Sequence, residues 1–297
     1  MDGLLVIDKP AGPTSHDVVA RVRRLLRERA IGHTGTLDPM ATGVLPLVLG
    51  KATRLARFLS DGDKIYEAVV TLGRATDTAD AKGTPIGVPW QGPLPSLEAI
   101  ERALDAFRGA FLQQPPAYSA KKIDGVRSYK LARAASAPQP ASVLVVARAI
   151  EVLAVEGGRV TLRVTCSAGF YVRSLAHDLG AALGTGAHLS ALRRTQSAGW
   201  TCADALPLER AEREPALAAQ SVVPLARMLT HLPSITLTAE AVRRATHGRD
   251  ISSADSSWGT PAVAAPWVRL LDPEGNLVAI AEPGAAAGLL HPSVVLM

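Results

Sequence analysis

Gly32-His33-Thr34-Gly35-Thr36-Leu37-Asp38-Pro39-Met40-Ala41-Thr42-Gly43 is the stretch on which the reading of this chain turns. Glycines and threonines surround a single carboxylate, Asp38, followed at once by Pro39. Taken alone, an Asp-Pro step starts a turn, because proline fixes φ and the aspartate side chain bonds to nearby backbone. His33, also taken alone, reads as a packed or surface histidine. The loop declares no chemistry by itself, so its meaning has to come from its surroundings.

Upstream, the apolar Leu4 to Ile7 reads as a strand, and Asp8-Lys-Pro-Ala-Gly-Pro13 as a turn. Ser15 is then expected to cap a helix with Val18, Val19, Val22, Leu25 and Leu26 on its apolar face and arginines on the other. Downstream, Val44 to Leu49 is apolar, and Lys51, Arg54 and Arg57 fall on a short helix. Lys64 to Leu72 is β-rich, 73 to 95 is a Gly/Asp/Pro loop, and Ser96 caps a helix carrying Leu97, Ile100, Leu104 and Phe107. Val143 to Val155 and Arg159 to Cys166, joined through Glu156-Gly-Gly158, make a hairpin.

Strands and helices mix without strict β-α-β alternation, which favours an α+β fold over a doubly wound parallel sheet. Composition shifts near residue 232. Beyond it come one short helix ending near His247-Gly248, strands at 268 to 271, 277 to 281 and 294 to 296, and the turn Asp272-Pro-Glu-Gly-Asn276. The expected organisation is a domain of residues 1–232 and a small β-rich domain of 233–297. The Ala/Pro/Ser-rich patches at 134–142 and 254–266 read as linker or loop.

The chain has 297 residues, 47% hydrophobic and 20% charged, an ordinary globular composition. Its formal charge of +5 is a mild pointer to an anionic partner. The basic residues concentrate in Arg21 to Arg29 and in Lys121, Lys122, Arg127, Lys130 and Arg133, stretches that solvated faces would also produce. Two cysteines, Cys166 and Cys202, make neither a disulfide framework nor a four-ligand zinc site, so a reducing, cytoplasmic setting without a metal is expected. No apolar run reaches the ~18 residues of a membrane span. Gly50-Lys51 lacks both the upstream glycine at 45 and the following Ser/Thr of a phosphate loop. Neither a His-Glu-x-x-His zinc motif nor a Gly-x-Ser-x-Gly elbow occurs.

Four separated segments resemble the TruB-type tRNA pseudouridine synthases of the bacterial stand-alone kind. They are Leu5-Val-Ile-Asp-Lys-Pro-Ala-Gly12; Gly32 to Leu45; Gln114-Pro-Pro-Ala-Tyr-Ser-Ala-Lys121 with Gly125, Tyr129 and Arg133; and Cys166-Ser-Ala-Gly-Phe-Tyr-Val-Arg173 with Gly186 to Arg194. Leu72 to Asp80 is a looser fifth match, and all stand in the family's order. Ala30 departs from the family's usual Lys or Arg, moving that contact to Arg29, and Phe170 stands where Thr is usual.

The resemblance implies a pseudouridine synthase fold, with a mixed, largely antiparallel sheet flanked by helices and a PUA-like C-terminal domain. It implies isomerisation of uridine 55 in the TΨC stem-loop of tRNA by a monomer that needs no guide RNA and no cofactor. Asp38 would be the catalytic carboxylate, Tyr66 the ring stacked on the base, and Arg173 the partner keeping Asp38 ionised. An opposite charge ~4 Å away at an effective dielectric of ~20 is worth roughly 4 kcal/mol, enough to offset partial desolvation. Tyr171 and Leu192 would line the base pocket, His33 would fill the space a swung-out base leaves, and Lys9 would support the active-site loop or contact the substrate backbone. Lys121, Lys122, Arg127, Lys130 and Arg133 would form a basic lid on the RNA. A tRNA-binding folding chaperone is the reading of a different class that the same basic stretches allow.

Overall fold

A computed structural model of the chain describes residues 1–116, 122–123, 126–127, 140–252, 255 and 265–297, with only the backbone at 122–123 and 126–127. The patch 134–142 thus lies largely outside the described residues, as does most of 254–266.

The strands in chain order are β1 Gly3–Lys9, β2 Ile31–His33, β3 Thr42–Leu49, β4 Lys64–Leu72, β5 Ala75–Thr76, β6 Pro85–Ile86, β7 Gly109–Gln113, β8 Lys122–Ile123 and β9 Val126–Arg127. They continue with β10 Val143–Glu156, β11 Arg159–Cys166, β12 Ala187–Ser197, β13 Trp200–Thr201, β14 Leu206–Pro207 and β15 Val223–Pro224. The last four are β16 Ser234–Thr236, β17 Val268–Leu271, β18 Leu277–Pro283 and β19 Leu290–Val295. The helices are α1 Ser15–Leu26, α2 Ala56–Ser60, α3 Leu97–Asp105, α4 Val172–Ala182, α5 Leu208–Arg213, α6 Pro215–Gln220 and α7 Ala239–Thr246.

The main sheet runs β14-β1-β3-β12-β4-β11-β10-β7, with β2, β13 and β15 paired on its flanks. Pairings are antiparallel except β1 with β14 and β3 with β12, so the sheet is mixed and largely antiparallel, as the motifs implied. β1 and β3 are buried on both faces, which is why they read as unbroken apolar runs. In β4 the buried and half-buried positions alternate strictly, the signature of a strand with one core face. The β10–β11 hairpin turns through Gly157 and Gly158, both at positive φ (52° and 81°), the backbone that tight hairpins require and only glycine takes freely.

One face of the sheet is covered by α1, α3, α4, α5 and α6, which contribute Val18, Val22, Ile100, Leu104, Leu175, Leu179, Ala211 and Ala218 to the main core. The other face of β1 and β3 offers Leu4, Val6, Val44 and Val48 to Leu55 and Leu59 and to Met228, Leu229, Leu277, Ile280 and Leu296 from farther along the chain. Residues 234–295 hold a second sheet, β16-β17-β18-β19, with α7 packed on its core.

The start of α1 corrects one expectation. The cap is Thr14 rather than Ser15: Thr14 Oγ1 accepts from the Asp17 amide at 3.1 Å and the Asp17 carboxylate accepts from the Thr14 amide at 2.8 Å, a reciprocal capping box. Ser15 is instead buried and bonded to Leu37 in the Asp38 loop.

Thr14 being the cap, Thr14→Ala is expected to lower stability by about 0.5–2 kcal/mol while Thr14→Ser stays near wild type. Urea denaturation of the three proteins checks this, and equal midpoints for all three would show the cap to be energetically idle.

Candidate active site

Residues 34–41 connect β2 to β3 and carry Asp38 at the edge of the sheet. The loop is tied at several points by groups that arrive from elsewhere. Thr34 N–H donates to the Pro46 carbonyl at 3.1 Å and Gly12 N–H to Pro39 O at 2.8 Å, while within the loop Ala41 N–H donates to Asp38 O at 3.0 Å. Ser15 Oγ both accepts from the Leu37 amide (2.9 Å) and donates to the Leu37 carbonyl (3.2 Å). The fully buried Lys9 donates Nζ to the carbonyls of Pro10 (3.0 Å), Pro39 (3.4 Å) and Ala41 (2.7 Å). A loop rich in glycine and threonine would otherwise carry high conformational entropy, and these bonds narrow it around one side-chain position.

Onto that loop Arg173 closes a two-point ion pair. Its Nε donates to Asp38 Oδ2 at 2.8 Å and its Nη2 to Oδ1 at 3.1 Å, while Nη1 reaches the Thr78 carbonyl at 3.2 Å. The Arg173 side chain is 6% exposed and that of Asp38 31%, so the carboxylate faces the cleft and the guanidinium is sealed behind it. Bidentate pairing in this setting fixes the orientation of the carboxylate.

Arg173 sits in the first turn of α4, and the residue before that helix is clamped. Gln113 is buried on β7, donates Nε2 to the Tyr171 carbonyl at 3.0 Å, and accepts from the Tyr171 amide at 2.8 Å. Ser174 Oγ donates to Gln114 O at 2.7 Å, a second tie between the same segments.

Tyr66 lies on β4, buried at 9% exposure, and Arg194 stands opposite it on β12. Burial is the main influence on the Tyr66 phenol and pushes its pKa up, with the Arg194 guanidinium at its side pulling the other way. Arg194 is itself 1% exposed and donates Nε to Val44 O (2.7 Å) and Nη2 to Gly35 O (3.0 Å). Gly43, paired with Arg194 across β3 and β12, has φ +101°, and a Cβ there would lie 2.2 Å from the Arg194 carbonyl oxygen. Only glycine permits the two strands to approach so closely.

These groups enclose a cleft of about 250 Å³ lined by Asp38, Tyr66, Arg173, Tyr171 and Leu192 together with Lys64, Phe170 and Arg194. Five of the residues singled out from sequence therefore meet around one cavity, although they lie up to 154 positions apart (38 to 192). Three others lie outside its lining. His33 is half-buried at the end of β2, edge-on to His16 at 5.4 Å between ring centres. Arg29 is exposed beside Arg23, Arg24 and Arg27. Lys9 is fully buried, and its ammonium donates to loop carbonyls inside the protein. Lys121, Lys130 and Arg133 fall outside the described residues, and Lys122 and Arg127 are placed only as backbone of the β8–β9 pair.

Sequence reasoning passed over Ser15 as a catalytic-loop anchor, and Gln113, Lys64 and Arg194 altogether. Gln113 had one available signal, a buried-phase position in a short strand ending before Pro115-Pro116. Arg194 and Lys64 had none, since a charged residue in a strand reads as solvent-facing. Among the described residues no three His, Cys, Asp or Glu side chains cluster as metal ligands, and no helix is long and apolar enough to cross a membrane.

Two family models match the chain. One, described as the TruB family pseudouridylate synthase N-terminal domain, covers residues 23–172, and the other, the tRNA pseudouridylate synthase B C-terminal domain, covers 173–231. The boundary between them falls between Tyr171–Val172 and Arg173, so the cleft draws on both. A protein of Solibacter usitatus (strain Ellin6076) named tRNA pseudouridine synthase B is 44% identical, with 100% of each chain covered. One of the same name from Thermobifida fusca (strain YX) is 43% identical over 99% of this chain and 98% of its own. Among solved structures, a chain from a Cbf5-Nop10-Gar1 complex superposes with a TM-score of 0.76 at 29% identity, covering 99% of this chain and 85% of that one.

Burial is the largest influence on the Lys9 ammonium and, against the attraction of Asp38, lowers its pKa from the ordinary 10.5 to about 8. Between those pH values the unfolded chain binds more protons than the folded one, so folding stability rises with pH there, and below pH 8 this contribution is flat. The stability difference between wild type and Lys9→Met is therefore expected to move in favour of wild type as pH climbs from 8 toward 10.5. Urea titrations across that range check it, and parallel pH curves for the two proteins would refute the assignment.

Proposed function

The chain belongs to the TruB family of pseudouridylate synthases, and on that premise we propose that it isomerises uridine 55 in the TΨC loop of tRNA to pseudouridine with Asp38 as the catalytic carboxylate. It is an isomerase, and the relatives named tRNA pseudouridine synthase B support tRNA as the substrate. The observation that carries the role of Asp38 is its two-point pairing with buried Arg173 at the mouth of a cleft floored by Tyr66.

The reaction detaches uracil N1 from ribose C1′, turns the ring, and rejoins it through C5. Nothing is oxidised or reduced, so the chemistry asks for a placed carboxylate and a held base rather than a redox cofactor. Asp38 either bonds to C1′ or takes a ribose proton, and both routes begin from the ionised carboxylate that Arg173 orients. Tyr66, a phenol that burial holds further toward its neutral form, presents an uncharged ring on which the free base stacks. Tyr171 and Leu192 bound the same space, and His33, at the base of the loop, fills the gap left by the flipped nucleotide.

Recognition of the tRNA body falls to the basic surfaces. Arg29 with its neighbours contacts phosphates, and Lys121, Lys122, Arg127, Lys130 and Arg133 close over the stem-loop. Residues 1–232 act as the catalytic domain and 233–297 as a PUA-like RNA-binding domain. The enzyme works as a monomer on bare tRNA, unlike the neighbour solved as a Cbf5-Nop10-Gar1 complex.

Tritium release from C5-labelled uridine in an unmodified tRNA transcript tests this reading. Wild type is expected to release the label without added RNA, a transcript with cytidine at position 55 to release none, and Asp38→Asn to lose activity while still binding tRNA. Full turnover by Asp38→Asn would refute the mechanism, and a chaperone would accelerate tRNA folding equally with or without this carboxylate.

A further inference from the structure

The cleft holds more positive than negative charge. Apart from the phenols of Tyr66 and Tyr171, its ionisable lining residues are Asp38, Lys64, Arg173 and Arg194. Arg173 is committed to Asp38. Lys64, 5% exposed, donates its ammonium to the carbonyls of Ser60 and Gly62, and Arg194, 1% exposed, donates to those of Val44 and Gly35. Among the described residues neither cation has a carboxylate within ion-pair distance. Asp63, next to Lys64 in sequence, is taken by Arg148 at the surface. The two charges also oppose each other: after burial, Arg194 is the next influence lowering the pKa of Lys64.

Two buried like charges met, among the described residues, by carbonyl dipoles and the Tyr66 phenol rather than by a carboxylate are costly unless something anionic visits them. Gly35 keeps one of them at the catalytic loop, because a Cβ there would lie 3.3 Å from Arg194 Nη1. The reaction produces such a visitor. When the C1′–N1 bond breaks, its electron pair stays on N1 and the detached uracil is a monoanion with charge spread onto its carbonyl oxygens. In the same event Asp38 loses its charge, either by forming a bond to C1′ or by accepting the ribose proton. The negative charge thus moves from Asp38 to the ring while the charge of the cleft as a whole is unchanged. When C5 then bonds to C1′, Asp38 leaves C1′ or returns its proton to the ribose and regains its charge, the C5 hydrogen leaves as a proton and N1 gains one, which closes the balance.

We propose that Lys64 and Arg194 form the anion-stabilising floor of the base pocket and hold the uracil monoanion while it turns. The proposal rests on the pseudouridine synthase reading and gives these two residues a catalytic role beyond the Asp38–Arg173 pair. Preorganised donors aimed at charge that appears only during reaction act on the rate rather than on substrate affinity.

The test combines turnover with binding of free bases to the full-length protein. Arg194→Gln is expected to lower kcat by about 10²–10³-fold, the range for removing one donor to a developing anion, with KM for tRNA little changed. Lys64→Met is expected to lower kcat at least about tenfold. 5-Nitrouracil, which is anionic at pH 8, is expected to bind wild type and Arg194→Lys but to bind Lys64→Met and Arg194→Gln at least about tenfold more weakly, with neutral uracil nearly unaffected. Equal weakening of both bases, or an unchanged kcat in Lys64→Met, overturns the proposal. Should Arg194→Gln fail to fold, the contrast of Lys64→Met with wild type still decides it. A wild type that releases no tritium overturns the underlying reading instead, and leaves the base-binding comparison standing.

Discussion

Gly43 on β3 and Arg194 on β12 are neighbours in a parallel pairing only two residues long, Arg193 with Thr42 and Arg194 with Gly43, and the whole catalytic arrangement hangs on that junction. The strands β14, β1 and β3 lie on one side of it, and β12, β4, β11, β10 and β7 on the other. Asp38 comes from the first group, on the loop that leads into β3. Tyr66, Leu192 and Arg173 come from the second, on β4, on β12 and on the helix that precedes β12. A cleft built across such a seam depends on how closely the two halves can approach. The absent side chain at Gly43 and the hydrogen bonds from Arg194 to Val44 and Gly35 set that distance.

The same residue links geometry to charge. Arg194 ties the loop of Asp38 to the strand of Tyr66, yet it does so as a buried cation without a paired carboxylate among the described residues. Structural needs alone would be met more cheaply by a neutral donor, since a desolvated guanidinium costs several kcal/mol before its bonds are counted. Arg173 is different: its charge is balanced by the carboxylate it orients. The cleft therefore holds two kinds of cation. One cation orients Asp38, and two more, Lys64 and Arg194, line the same pocket without a paired carboxylate among the described residues.

Legibility in the sequence followed from how local each signal was. The alternation of β4, the Gly157-Gly158 turn and the apolar runs of β1 and β3 are local patterns, and each appears where periodicity placed it. The cap of α1 was misplaced by one residue because Thr14 and Ser15 are equally good caps by type. What separates them is a partner twenty-two positions away, the Leu37 backbone, invisible to a local reading. Lys9 is expected from the motif to support the loop or touch the substrate backbone, and the three loop carbonyls that converge on its fully buried ammonium come from positions up to thirty-two residues away. Motif order made Asp38, Tyr66 and Arg173 candidates. The Gln113 clamp on Tyr171 and the pocket cations Lys64 and Arg194 arise only when β4, β7 and β12 are brought into register.

The second sheet bears on the site through the back of the first. β1 and β3 present their far faces to Met228, Leu229, Leu277, Ile280 and Leu296, so the strand that receives the Asp38 loop is half-covered by C-terminal residues. The contact is anchored by Arg57, which lies 4.7 Å from the ring centres of both Phe58 and Trp267, and by Arg54, whose Nη1 donates to the Val295 carbonyl at 2.6 Å. Cation–π contacts of this kind add to apolar burial without demanding a counter-ion at the junction. A loop that places one carboxylate needs a strand that does not move, and β3 is packed on both faces. The C-terminal segment therefore contributes to the active site as a wall, independently of any nucleic acid it touches.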